Sequence, residues 1–191
     1  KTGNINSLQI TATDGKSESS DVVDTFADVH SYANAYRIYN GKGNLTVGDL
    51  QGVVISAQGG TSIAKKSNVT VVATARASGI ASYGGTVNVT GNVKIITSAT
   101  AGTEIDVNGT SRLAKFESYS LYAGRGSIIN IGVDTSKVYP NANSKTVQLE
   151  GDISAQKNGT NNVILSGSIS SLQGNILADD ASTNKITFTK G

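Results

Sequence analysis

His30 is the single histidine of this 191-residue sequence, and there is no cysteine. A nucleophile–base pair usually needs an imidazole beside a hydroxyl or thiol and an acidic partner. Zinc needs clustered His and Cys. No acid–Ser constellation can be placed beside His30 from spacing, so it reads as a surface or packing histidine. The carboxylates to weigh are Asp21, Asp24 and Asp28, then Glu104 and Asp106, then Asp179 and Asp180. Two carboxylates converging on a groove would serve glycoside hydrolysis, and acidic oxygens near an Arg or Lys would serve a Ca2+-assisted lyase. The first group lies on one face of a helical pattern and the second on one strand face, and both read as solvated surface charge. Gly41-Lys42-Gly43 and Gly84-Gly85 lack the spacing of a phosphate loop and read as corner glycines. No catalytic residue, metal ligand or cofactor is expected. The sequence predicts no turnover of pectin, uronate or peptidoglycan substrates.

The tyrosines form a pattern. When YRIYNGKG (36–43) is laid over YSLYAGRG (119–126), Tyr36 matches Tyr119, Tyr39 matches Tyr122 and Lys42 matches Arg125. Between them, SGIASYGG (78–85) brings Tyr83 within two residues of the same register. Tyr36, Tyr39, Lys42, Tyr83, Tyr119, Tyr122 and Arg125 are therefore the candidate binding residues. Amphipathic rings with adjoining cations suit glycans and protein surfaces alike. Ordinary packing at a corner is the plainer alternative.

Something must hold these rings in a row. Gly, Ser, Thr and Asn make up about four residues in ten, with Val and Ile still frequent and only 16% charged. This suits many short strands joined by tight turns. An apolar–polar–apolar triplet recurs at Leu45–Val47, Val69–Val71, Val87–Val89, Ile105–Val107, Ile129–Ile131, Val147–Leu149, Val163–Leu165 and Ile186–Phe188. The triplets start about 20 residues apart on average. Strands recurring at such a period mark a solenoid. The expected fold is all-β, a right-handed parallel β-helix of about nine coils of roughly 20 residues, a rod roughly 43 Å long.

In that arrangement Val69 lies over Val87 and Val87 under Ile105. Val87, Val89, Ile105 and Val107 then form the central stack, and Thr46, Thr70, Asn88, Asp106, Asn130 and Thr187 point outward. Turn asparagines such as Asn40, Asn92, Asn108 and Asn158 are candidates for amide ladders. The longer match, in which Ile38, Ile80 and Leu121 align with Gly43, Gly85 and Gly126, spans 42 and then 41 residues. It reads as two coils per unit, which puts Tyr39 and Tyr122 about 19 Å apart. The chain reads as one β-helix over 1–191. Residues 19–36 break the rhythm, because Val22, Phe26, Val29 and Ala33 have helical spacing. Ser20 or Asp21 could cap a short helix there; an ordinary coil with a Val22-Val23 strand is the alternative.

Net charge is only +2, with scattered Lys and Arg, whereas nucleic acid would need a basic stripe. No apolar run approaches the roughly 18 residues of a membrane span, and no signal peptide is visible. Lys1 in place of Met is read as the mark of a fragment. The segments GTVNVTGNVKI and GNLTVGDLQGVVIS resemble passenger domains of monomeric autotransporters of Gram-negative bacteria. The stretch VQLEGDISAQKNGTNNVILSGSISSLQGNI resembles these and the filamentous-haemagglutinin type of adhesin. The resemblance covers most of residues 36–191. It implies a right-handed β-helix exposed at the bacterial cell surface or secreted, anchored through the outer membrane in the full-length protein. It also implies adhesion, aggregation or biofilm formation, with a host or bacterial surface protein or glycan, or a second rod, as partner. The competing class is a carbohydrate-active β-helix, a polysaccharide lyase or tailspike-like protein.

Overall fold

The computed structural model describes residues 5–18, 27–65, 69–134, 141–142, 145–166, 169–179 and 181–189. The described structure is all-β. The first sheet holds β1 (Ile5–Thr13), β5 (Leu50–Gln58), β9 (Val93–Thr100), β16 (Val147–Glu150) and β19 (Ser171–Gln173). The second holds β2 (Lys16–Glu18), β6 (Thr61–Ile63), β10 (Thr103–Ile105) and β11 (Ser111–Leu113). The third holds β3 (Ala27–Asn40), β7 (Val69–Ser82), β12 (Lys115–Gly124), β17 (Asp152–Gln156) and β20 (Ile176–Ala178). The fourth holds β4 (Asn44–Val47), β8 (Thr86–Val89), β13 (Ile128–Ile131), β18 (Thr160–Ser166) and β21 (Thr183–Thr189). A short ribbon pairs β14 (Val133–Asp134) with β15 (Asn141–Ala142). Among the described residues every pairing is parallel except β10 with β11 and β14 with β15.

The chain passes from the first sheet through the second, third and fourth and returns to the first, which is the path of a solenoid. After β11 closes the second sheet by turning back on β10, later passes run from the first sheet directly to the third. Partners lie 42 residues apart across β3 and β7 (Ala27 with Val69) and across β8 and β13 (Val87 with Ile129). At the C-terminal end the separation falls to 23, as in Thr160 with Thr183.

This revises the expected coil. The triplets mark strands, but consecutive triplets belong to different sheets of the same turn. Val69 pairs with Ala27, Val87 lies between Leu45 and Ile129, and Ile105 pairs with Ile63 and Ser111. The 42-residue unit is one turn, not two. Five strands in the first, third and fourth sheets make four steps of about 4.8 Å, or roughly 19 Å of stacked height instead of 43 Å.

Alternation sets the core. Ile38, Ile80, Leu121 and Ile153 follow one another in register across the third sheet, and all are buried. Across the fourth sheet Val47, Val89, Ile131 and Val163 do the same. Val53, Ile95 and Leu149 face them from the first sheet. Val107 is 42% exposed in the turn after β10, so it does not belong to the central stack. Gly43, Gly85 and Gly126 have φ of 91°, 82° and 72°, and a Cβ on Gly85 would lie 1.8 Å from the Gly43 carbonyl oxygen. The positive φ favours glycine at all three positions, and Gly85 needs it for space as well.

Residues 27–36 belong to the long strand β3, not to a helix. A spacing of four satisfies both a helical face and strand alternation, so Val29 and Ala33 share a strand face. Ser20, Asp21, Val22, Val23, Asp24 and Phe26 lie outside the described residues, as does the side chain of Asp28. The expected amide ladder forms on strands: Asn162 Nδ2 donates to Asn130 Oδ1 (2.9 Å) and Asn130 Nδ2 to Asn88 Oδ1 (2.8 Å). Among the turn residues, Asn92 Nδ2 donates to Asp49 Oδ1 and its own Oδ1 accepts from the Thr146 backbone N–H.

Val89 is 1% exposed. Val89→Asp would bury a carboxylate against apolar neighbours and should cost several kcal/mol. Asn88→Asp keeps the acceptor that Asn130 uses and should change stability by less than about 1 kcal/mol. Urea denaturation of both variants checks the facing; equal losses would contradict it.

Candidate functional site

The tyrosine strip is built on the third sheet where it turns into the fourth. Tyr36 and Tyr39 come from β3, Tyr119 and Tyr122 from β12, and between them β7 carries Ser78 and Ala81 in register. Tyrosines two turns apart stand about 9.6 Å from each other, too far for ring contact. Tyr83, in the turn after β7, fills the interval. Its ring centroid lies 5.4 Å from Tyr39 and 5.2 Å from Tyr122. Tyr36 meets Tyr39 edge-on at 5.6 Å and 70°, and Tyr119 lies 5.3 Å from Tyr122. All five rings thus form one continuous row, spaced as favourable aromatic pairs are.

The row is graded in exposure. Tyr119 and Tyr122 are buried with Ala81, Tyr36 and Tyr83 are half-buried, and Tyr39 is 61% exposed. Tyr39 and Tyr122 are therefore close neighbours bridged by Tyr83, not separated by 19 Å. Lys42 and Arg125 are exposed in the turns that leave the strip, and Arg125 adopts φ 54°.

Beside the rings lies an ion-pair cluster that the sequence reading missed. Arg76 stands in register with Asn34 and Glu117. Its guanidinium bonds the Glu117 carboxylate, donates to Tyr83 Oη at 3.3 Å and stands 5.8 Å from the Tyr122 ring centroid. Lys115 Nζ reaches Glu117 at 2.6 Å. Burial pushes the Glu117 carboxyl up, but Lys115 and Arg76 outweigh it and hold the group below its ordinary value. Stepping the tyrosine alignment back two residues places Asn34, Arg76 and Glu117 in one column, so the signal was present in the repeat.

The carboxylates weighed for chemistry hold structure. Glu104 is buried rather than surface-exposed: Oε1 accepts the Ala73 backbone N–H at 3.0 Å and Oε2 accepts Arg112 Nε at 2.6 Å. They border a hollow of about 360 Å³ with Val69, Val71 and Thr110. Asp106 is exposed, and its Oδ1 accepts the backbone N–H groups of Asn108 and Thr110. Asp179 Oδ1 accepts the Lys157 N–H, and Asp180 lies outside the described residues. His30 is exposed, stacks on Tyr32 at 5.2 Å and shares a 2.8 Å hydrogen bond with its hydroxyl. Among the described residues no group of three or more His, Cys, Asp or Glu side chains could hold a metal ion, and no helix is long and apolar enough to cross a membrane. Comparison with protein-family models, characterised proteins and solved structures finds no match.

Burial and the neighbouring Tyr36, opposed by Arg76, push the Tyr83 hydroxyl up to about 12 from 10.0. Burial also raises Tyr119 and Tyr122. A group raised by folding contributes stability that is complete below its unfolded value and disappears as pH climbs through its folded value. Stability should therefore fall between pH 10 and about 12. Tyr83→Phe should flatten part of that fall, as read by urea midpoints across the alkaline range. An unchanged pH profile in the variant would contradict the assignment.

Proposed function

We propose that this chain is a non-catalytic binding rod: a right-handed parallel β-helix from the passenger of an autotransporter-like protein. It would act at the bacterial cell surface, in a full-length protein held by the outer membrane. There it would mediate adhesion or self-association, as in aggregation and biofilm formation. The observation that carries this reading is the tyrosine row, which ends in a ring 61% exposed at Tyr39 beside turns bearing Lys42. A well-ordered but open aromatic at such a place offers contact area at low cost in side-chain entropy. Its support by Tyr36 and Tyr83 keeps the ring oriented. The engagement of Glu104, Asp106 and Asp179 in structural hydrogen bonds favours binding over the carbohydrate-active alternative. The partner would be a surface protein, a glycan or a second rod, each held by many weak linked contacts.

The seven candidate residues differ in exposure, which supports giving them different roles. Tyr36, Tyr39, Tyr83, Lys42 and Arg125 would meet the partner, while Tyr119 and Tyr122 would keep the row in place. Tyr39→Ser combined with Lys42→Ser should reduce adhesion or aggregation of cells displaying the protein about tenfold, with the melting temperature unchanged. Tyr122→Ser should lower the melting temperature. Full adhesion by the double variant, with display at normal levels, would overturn the assignment.

A further inference from the structure

The outer face of the first sheet carries a polar trough that none of the tyrosine chemistry involves. Two adjoining hollows of about 220 and 320 Å³ share Lys94 and Gln148. Their rims are supplied by successive turns: Gln51 on β5, Lys94 and Ile96 on β9, Gln148 and Glu150 on β16, Ser171 and Gln173 on β19. The register makes them columns. Lys94, Gln148 and Ser171 follow one another, and Ile96, Glu150 and Gln173 do the same. Beneath them Val93, Ile95, Val147 and Leu149 are buried, which fixes the floor.

The trough has a local cause. Leu50 pairs with Val93 and Val53 with Ile95, so two residues, Gln51 and Gly52, oppose the single Lys94. Gly52 has φ 60°, the conformation of a glycine-containing β-bulge. This bulge puts a residue without a side chain into the outward column beside Lys94, which opens the end of the trough near Gln51. At the other end Ile169, 63% exposed, forms an apolar wall, and its carbonyl accepts Gln148 Nε2 at 3.0 Å. Gln148 is thus held in place with its side-chain oxygen still able to accept. No side-chain hydrogen bond or ion pair joins the Lys94 ammonium, the Glu150 carboxylate or the Gln173 amide to another of the described residues, and Lys94, Glu150 and Gln173 are exposed.

We propose that this trough binds a neutral oligosaccharide lying across the strands, along the stacking axis. Amide, ammonium, carboxylate and hydroxyl groups repeat about every 4.8 Å along that axis, close to the scale of a sugar ring. They offer donors and acceptors to ring hydroxyls, while Ile96 and Ile169 offer apolar surface to the C–H faces of the rings. One cation and one anion leave no net charge to select a polyanion, and phosphate polymers need a run of cations. An extended peptide would instead seek an open sheet edge to add a strand, whereas these groups stand on a paired face. The trough lies on a different sheet from Tyr39, so this inference stands apart from the adhesive role of the tyrosine row.

The test is isothermal titration of the whole chain with hexamers of β-1,4-linked glucose, xylose and N-acetylglucosamine, and with polygalacturonate as the charged comparison. At least one neutral hexamer should bind saturably. Lys94→Ala and Gln173→Ala, both at exposed positions, should each weaken it at least about fivefold, and together more than about twentyfold, with the melting temperature unchanged. Tyr39→Ser should leave this binding unaltered. Absence of binding by all three hexamers at millimolar concentration, binding indifferent to the Lys94 and Gln173 substitutions, or preference for polygalacturonate would each overturn the proposal. Loss of binding in Tyr39→Ser alone would place the glycan on the tyrosine row and would also overturn the trough assignment.

Discussion

In-register parallel stacking sets each side chain against its counterpart one turn away, at about 4.8 Å. The core columns, the asparagine ladder and the tyrosine row answer to that constraint. Apolar residues must therefore recur in columns, because no single turn can cover its own interior. Outward polar residues must tolerate their own likeness: Asn88, Asn130 and Asn162 do so by passing amide hydrogens along the column. Charges cannot repeat freely, and the third sheet places Arg76 beside Glu117 instead of beside another cation. A corner stacked this closely can exclude a Cβ atom, as Gly85 shows against the Gly43 carbonyl.

The tyrosine row is the same constraint applied to large rings. A tyrosine on every turn would crowd the column, and a tyrosine on alternate turns would leave gaps. The chain puts Ser78 and Ala81 on the intervening strand and supplies Tyr83 from the turn. Arg76 then supports the rings from beside Tyr122 while Glu117 and Lys115 complete its electrostatics. Rings and ion pairs are therefore one packed unit, and among its five rings Tyr39 is the one largely open to solvent. This grading separates a part that holds from a part that can bind.

Much of this was legible in the residues. Alternation identified the strands, and the matching of Ile38 with Ile80 and Leu121, and of Tyr39 with Ala81 and Tyr122, agrees with the pairing register. The corner glycines have the positive φ that their position required. The period was misjudged because triplets in different sheets look alike: Val69–Val71 and Val87–Val89 share a pattern while belonging to the third and fourth sheets of one turn. Only the longer match carried the true repeat, and its length invited division by two. Glu104 read as surface charge because alternation within three residues does not reveal that an antiparallel return strand, β11, brings Arg112 to it. The trough on the first sheet was not legible at all. It depends on a bulge opposite Lys94 and on which strands abut after the turns shorten.

The length of one turn across β3, β7 and β12 and across β4, β8 and β13 is the claim on which the core columns there and the tyrosine row rest. The chain has no cysteine, so a disulfide introduced at two chosen positions reads the register without interference. Asn88→Cys with Asn130→Cys joins residues paired on adjacent strands, at a spacing of about 4.8 Å, within the range a disulfide spans. Asn88→Cys with Asp106→Cys joins the positions that a turn of about 20 residues would have stacked. Mild oxidation should cross-link the first pair nearly completely within the monomer and leave the second as free thiols. Efficient bridging of the second pair with none in the first would contradict a 42-residue turn.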